Sequence, residues 1–227
     1  MSRYITNPKK AGPGRNKERL TVIILTSFPK YRLKAQGPPC LFPVNTKQNI
    51  IDAQLYTISQ SFTNYEVVVV TGYQSDRVIN YLGTATRIVE NQTFDKLNFL
   101  EEIKLAINNC DKRSALFIKG DVIFDKNSLE SVTSNGSCVV VNNDDSLDEE
   151  VGIIIDDNIV STFAYGLDNK WSGIVYLSGY EFDSLLKVAN MKNKSKLYFF
   201  EALNLVIENG GKFNVINNPN SNVKKVM

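Results

Sequence analysis

The sequence predicts an α/β fold, a doubly wound and mostly parallel sheet with helices on both faces. Three observations predict it. Apolar, β-branched runs such as "VIIL" and "VVVV" are continuous rather than alternating, as in strands buried on both faces. Between them lie stretches whose apolar residues recur every three or four positions, as in amphipathic helices. The connections between these segments are short, and the two kinds alternate from residue 20 to residue 121.

Each element follows in order. Residues 20–26 ("LTVIILT") read as a central strand. Residues 49–62 place Ile51, Leu55, Ile58 and Phe62 on one helical face. The strand at 65–72 ("YEVVVVTG") ends in glycine, and 75–82 ("SDRVINYL") opens with the Ser/Asp start of a helix. A short strand at 86–91, a helix at 97–110 and a strand at 114–121 ("SALFIKGD") complete the alternation. This order is Rossmann-like. The second half changes character: a strand at 137–143, an acidic loop through Asp144, Asp145, Asp148, Glu149 and Glu150, and a hairpin at 151–166 turning at Asp156-Asp157-Asn158. A strand at 171–178, helices around 180–191 and 197–209, and a strand within 210–218 follow, completing the same sheet and covering one side of a cleft. Trp171 and the pair Phe199-Phe200 are expected in the core or the cleft lining.

Composition narrows the chemistry. The 227 residues contain no histidine, which excludes imidazole bases, Ser-His and Cys-His nucleophile pairs and histidine-ligated metals. Catalysis would rest on carboxylates, Lys, Arg, Tyr and a carboxylate-bound metal. Three cysteines, Cys40, Cys110 and Cys138, lack metal-like spacing and read as reduced thiols. No apolar run approaches the roughly 20 residues of a membrane span, and no signal-peptide core opens the chain, so a cytoplasmic protein is expected, or one carried in a viral particle. Residues 1–19 hold six basic side chains against Glu18, net +5, so the remainder sums to −3 within a chain of net +2. We therefore expect a basic extended arm over 1–19, docking on a protein partner or nucleic acid, and a single α/β domain over 20–227.

In an open parallel sheet, ligands lie beyond the carboxyl ends of the strands. Three segments should converge there: the loop after Thr26, the Gly72-Tyr73 turn and Gly120-Asp121. An aspartate ending a buried strand can hold Mg²⁺ against phosphates, or can simply start a turn. Gly120 would let backbone approach a ligand closely.

The order "VIILTS…YRL…GPPCLFPV…IIDAQL…YEVVVVTGY…RIVEN…LNFLEEI…LFIKGDVIF" resembles the sugar-phosphate nucleotidylyltransferases, a family that includes phosphocholine cytidylyltransferase-like members. The likeness spans 20 to about 130, and more loosely 150–215. It implies the nucleotide-diphospho-sugar transferase type of fold. It also implies Mg²⁺-dependent joining of a nucleoside triphosphate to a sugar phosphate or phosphocholine, with release of pyrophosphate. On that resemblance Asp121 is the metal aspartate and, with Arg32, the catalytic set. Thr26, Ser27, Lys30, Lys34, Gly72, Tyr73, Asn91, Asn98 and Gly120 are the nucleotide- or substrate-binding positions.

The departures fall on the chemistry. The family's glycine-rich loop is replaced by Phe28, Pro29 and Lys30. Its Pro-Lys pair is replaced by Pro38-Pro39, and its second metal aspartate has no counterpart in the closing "NVINNPNSNVKKVM". A glycine-rich loop presents N–H groups with no Cβ in the way, whereas Phe28 adds bulk and Pro29 lacks a donor. Losing one preorganised donor costs about 10²–10³ in rate. Two readings follow. One is a fold that has lost most or all catalysis and serves as a binding or structural module of a larger assembly, possibly viral, docked through its arm. The other is an active Mg²⁺-dependent nucleotidylyltransferase with Lys30, Arg32 or Lys34 supplying the missing charge.

Overall fold

The computed structural model describes residues 19–29, 35–84, 86–96, 98–110, 113–142 and 150–225. The basic arm up to residue 18, the side chains Lys30, Arg32 and Lys34, and the acidic run 144–149 lie outside the described residues.

Strand β1 (Leu20–Thr26) pairs in parallel on both sides, with β4 (Tyr65–Thr71) and with β6 (Ser114–Lys119); β5 (Arg87–Glu90) adds to β4. The order β5-β4-β1-β6 therefore reverses direction at β1, the topological switch point. Helices α1 (Ile50–Ser61) and α2 (Ser75–Leu82) pack on one face. Helix α3 (Phe99–Asn108) packs on the other, with α4 (Gly179–Ala189) and α5 (Phe199–Glu208).

Strand alternation divides the core. Ile23, Leu25, Val68, Val70 and Phe117 face Ile103, Leu185 and Leu203, whereas Val22, Ile24, Val69 and Ile118 face Ile51, Ile58 and Val78. Both faces being covered is why the strands read as unbroken apolar runs.

The second half extends the sheet. Strand β11 (Asn169–Ser178) runs antiparallel between β6 and β8 (Cys138–Asn142). Beyond lie β12 (Asn214–Ile216) and the hairpin of β10 (Ile159–Tyr165) with β9 (Val151–Asp156). The hairpin turns through Asp157 and Asn158, both at positive φ, as a tight two-residue turn demands. Of the nine strands, β10 and β11 run against the others, so the sheet is mostly parallel.

Two short strand pairs lie outside the predicted elements. Strands β2 (Pro43–Asn45) and β3 (Gln48–Asn49) form a small hairpin before α1. Strand β7 (Val122–Phe124) pairs with β13 (Val223–Lys225), so 214–216 is not the last strand. Each of these strands has two or three residues, too few for a two-residue period to register.

Candidate functional site

Beyond the carboxyl ends of β1 and β6 lies a cavity of about 340 Å³. Thr26, Ser27, Glu102, Lys119, Gly120 and Asp121 give it a polar floor, and Phe28, Pro29 and Pro39 close one side. The rings of Tyr165, Trp171, Tyr198, Phe199 and Phe200 form an aromatic side, which Phe99 joins to Phe28.

Backbone crowding sets the floor. Gly120 N donates to Leu25 O at 2.7 Å, and a Cβ on Gly120 would meet Thr26 Cβ at 2.7 Å, so β1 and β6 approach closely only because residue 120 is glycine. The turn behind it is clamped from α1: Gln54 Nε2 donates to Lys119 O and to Val122 O, both at 2.8 Å. Gln54 is fully buried, and this clamp fixes the segment that carries Asp121.

The loop after β1 is held by a carboxylate. Ser27 N donates to Glu102 Oε1 at 2.7 Å, and the Phe28 ring packs on Phe99 at 5.2 Å. Glu102 is 8% exposed. Burial pushes its carboxyl up to about 7, against hydrogen bonding from Ser27 and the attraction of Lys119, while Asp121 adds repulsion. Burial also lowers the Lys119 ammonium, opposed by Asp121, Glu150 and Glu102 and reinforced by Lys225. Lys225 in turn pairs with Glu150 at 2.7 Å.

The aromatic side depends on a bulge. Pairing of β11 with β8 slips between Trp171 and Val175, and Gly173 sits at φ 84°. Ser172 Oγ donates to Val140 O at 2.7 Å and accepts from Ile174 N at 3.1 Å. The indole N–H of Trp171 donates to Ile174 O at 3.1 Å. The Lys119 stem crosses Gly173, and its Nζ stands 4.9 Å from the centre of the Trp171 ring. Phe99 and Tyr198 stack at 4.3 Å, and Tyr198 lies nearly parallel to Phe200 at 6.0 Å.

Of the positions singled out in the sequence, Thr26, Ser27, Gly120 and Asp121 line this cavity. Gly72, Tyr73 and Asn91 support the loop from the neighbouring strands. Tyr73 N donates to Ser27 O at 2.8 Å, a Cβ on Gly72 would meet Ser27 O at 2.9 Å, and Asn91 N donates to Thr71 O at 2.7 Å. Asn98 is the residue before α3, where its carbonyl accepts from Glu101 N. Glu102 and Lys119 were not anticipated. Glu102 had a signal: an acid spaced three and four residues from Phe99 and Ala106, on the buried flank of its helix.

The Mg²⁺ implied by the resemblance meets a poor donor set. Among the described residues no group of three or more acidic or thiol side chains is placed to hold a metal. On the cavity Asp121 offers one carboxylate, while Glu102 is engaged by Ser27 N and the Lys119 ammonium interacts with both. These residues do not fit a resident ion. Among the described residues no helix is long and apolar enough to cross a membrane.

No protein-family profile matches the chain, and no curated protein matches it. Solved structures do. The CTP:phosphocholine cytidylyltransferase of Streptococcus pneumoniae is 18% identical with a TM-score of 0.75, over 92% of this chain and 94% of that one. The inositol-1-phosphate CTP transferase of T. maritima is 16% identical with a TM-score of 0.73, over 92% and 89%. A nucleoside-diphosphate-sugar pyrophosphorylase of Vibrio cholerae is 13% identical with a TM-score of 0.68, over 89% and 94%. Taken with the strand order and the cavity beyond β1 and β6, these similarities establish that the chain has the nucleotide-sugar nucleotidyltransferase fold.

Proposed function

We propose that this protein keeps the nucleotidyltransferase fold as a binding or structural module and has lost most or all nucleotidyl transfer. One observation carries the reading: the first amide beyond β1, Ser27 N–H, is already committed to the buried Glu102 carboxylate. The neighbouring positions reinforce it. Phe28 fills space beside Phe99, Pro29 has no N–H to give, and Pro39 is buried at the cavity edge where the resembled family carries lysine. Phosphoryl chemistry depends on preorganised donors and cations around the phosphates, and these residues replace them with a carboxylate and apolar bulk. The net +5 of residues 1–19 against a body of −3 supports docking through that segment on an acidic partner.

A second reading, Mg²⁺-dependent transfer from a nucleoside triphosphate to a sugar phosphate or phosphocholine, is favoured by Asp121 facing the same cavity as the aromatic side. Aromatic faces suit a sugar's apolar surface or a quaternary ammonium. The test is pyrophosphate release from each of the four ribonucleoside triphosphates with Mg²⁺, in the presence of a hexose 1-phosphate or phosphocholine. We expect no release above the rate of Asp121→Ala. Release by the wild type that needs Mg²⁺ and vanishes in Asp121→Ala overturns the proposal and establishes the second reading.

A further inference from the structure

We propose that the Glu102 carboxyl group holds the place at the end of β1 that a ligand phosphate would take, and so determines that the cleft rejects phosphate-bearing ligands. This deepens the reading above and rests on it.

The geometry is that of an occupied anion seat. Ser27 is the first residue past a strand at the switch point of the sheet, and its N–H donates to Glu102 Oε1 at 2.7 Å. Loop and helix are joined twice within two residues, because Phe28 packs on Phe99, which begins the helical turn that carries Glu102. A carboxyl group buried on the core-facing side of α3 is costly to ionise unless a donor compensates it. Ser27 N–H is that donor, and Lys119 is the cation that draws on Glu102.

The charges around the seat oppose a second anion. Lys119 at the end of β6 is shared among Glu102, Asp121 and Glu150, and Lys225 of β13 is paired with Glu150. A phosphate entering here would find Ser27 N–H engaged and would face Glu102 and Asp121 across a poorly solvated floor.

The experiment is calorimetric titration of the full chain at pH 8.5, where the Glu102 carboxyl is ionised, with Mg²⁺-pyrophosphate and with the Mg²⁺ complexes of the four ribonucleoside triphosphates, using wild type, Glu102→Gln and Glu102→Ala. Circular dichroism verifies that each is folded. Glu102→Gln keeps an acceptor for Ser27 N–H and removes the charge, whereas Glu102→Ala removes both. We expect the wild type to bind about tenfold or more weakly than Glu102→Gln, in which a like charge a few ångströms away is gone, and the tightest binding by Glu102→Ala. Folded variants as silent as the wild type overturn the role of Glu102 and leave the loss-of-transfer reading standing. A wild type that binds as tightly as the variants overturns both.

Discussion

The two sides of the cavity are built on opposite principles. The floor, made by β1, β6 and α3, gathers Glu102, Lys119 and Asp121: Glu102 accepts from Ser27 N–H, Lys119 is attracted to both carboxyl groups, and the buried Thr26 and Ser27 hydroxyls have no hydrogen-bond partner among the described residues. The opposite side, made by β10, β11 and α5, is a run of aromatic rings with few polar obligations, and its outer members are solvated: Tyr165 is 57% exposed and Tyr198 44%. The difference teaches where ligand contacts remain available. On the floor the Ser27 N–H and the Glu102 carboxyl are spent on each other and the small hydroxyls of Thr26 and Ser27 remain, whereas the aromatic faces are open to a sugar face or an organic cation.

Three substitutions sharpen this comparison, in falling order of effect. Trp171 is the keystone of the aromatic side, packed on Phe163 and Phe199 and 5% exposed. Trp171→Ala should destabilise by about 3–5 kcal/mol in urea unfolding, and a loss under 1 kcal/mol would mean that side is not part of the core.

On the floor, Glu102→Gln should act through pH. The Glu102 carboxyl rises from 4.5 to about 7 on folding, so the native state holds a proton that the unfolded chain has lost. Its contribution is therefore fully favourable below pH 4.5 and is lost as pH rises through about 7. The stability of Glu102→Gln relative to wild type should climb across that window by about 3 kcal/mol at most, followed by urea unfolding at pH 5, 6, 7 and 8. A difference that does not change with pH would place Glu102 in water.

Gln54→Leu strips two hydrogen bonds from the Lys119 and Val122 carbonyls. It should cost about 1–3 kcal/mol and raise amide exchange in the Gly120–Asp121 turn. Unchanged exchange there would remove Gln54 from the support of Asp121.

Much of the fold was legible because its parallel half is periodic. Continuous β-branched runs and three- to four-residue apolar spacing mark β1, β4, β6, α1 and α3, each within a few residues of its bounds. The floor was half legible. Strand ends at a switch point lead to Thr26, Ser27, Gly120 and Asp121, but Lys119 reads as the polar end of a strand until its stem is seen to cross Gly173. Helical spacing puts Glu102 on the buried flank of α3, but local sequence does not reveal that Ser27, 75 positions away, is its partner. The tilt of Trp171 over Lys119 depends on the register slip against β8, a long-range property. Short strands β7 and β13 exist by pairing with each other and carry no local pattern of their own.

The central claim is that the rebuilt loop after β1 no longer holds a triphosphate. Thermal unfolding of the full chain with each ribonucleoside triphosphate, with and without Mg²⁺, tests it most directly, because a ligand at 100 times its dissociation constant adds about 2.7 kcal/mol and raises Tm by a few degrees. The account predicts no shift for any of the four. A Mg²⁺-dependent rise for one nucleotide, abolished by Asp121→Ala, would contradict it.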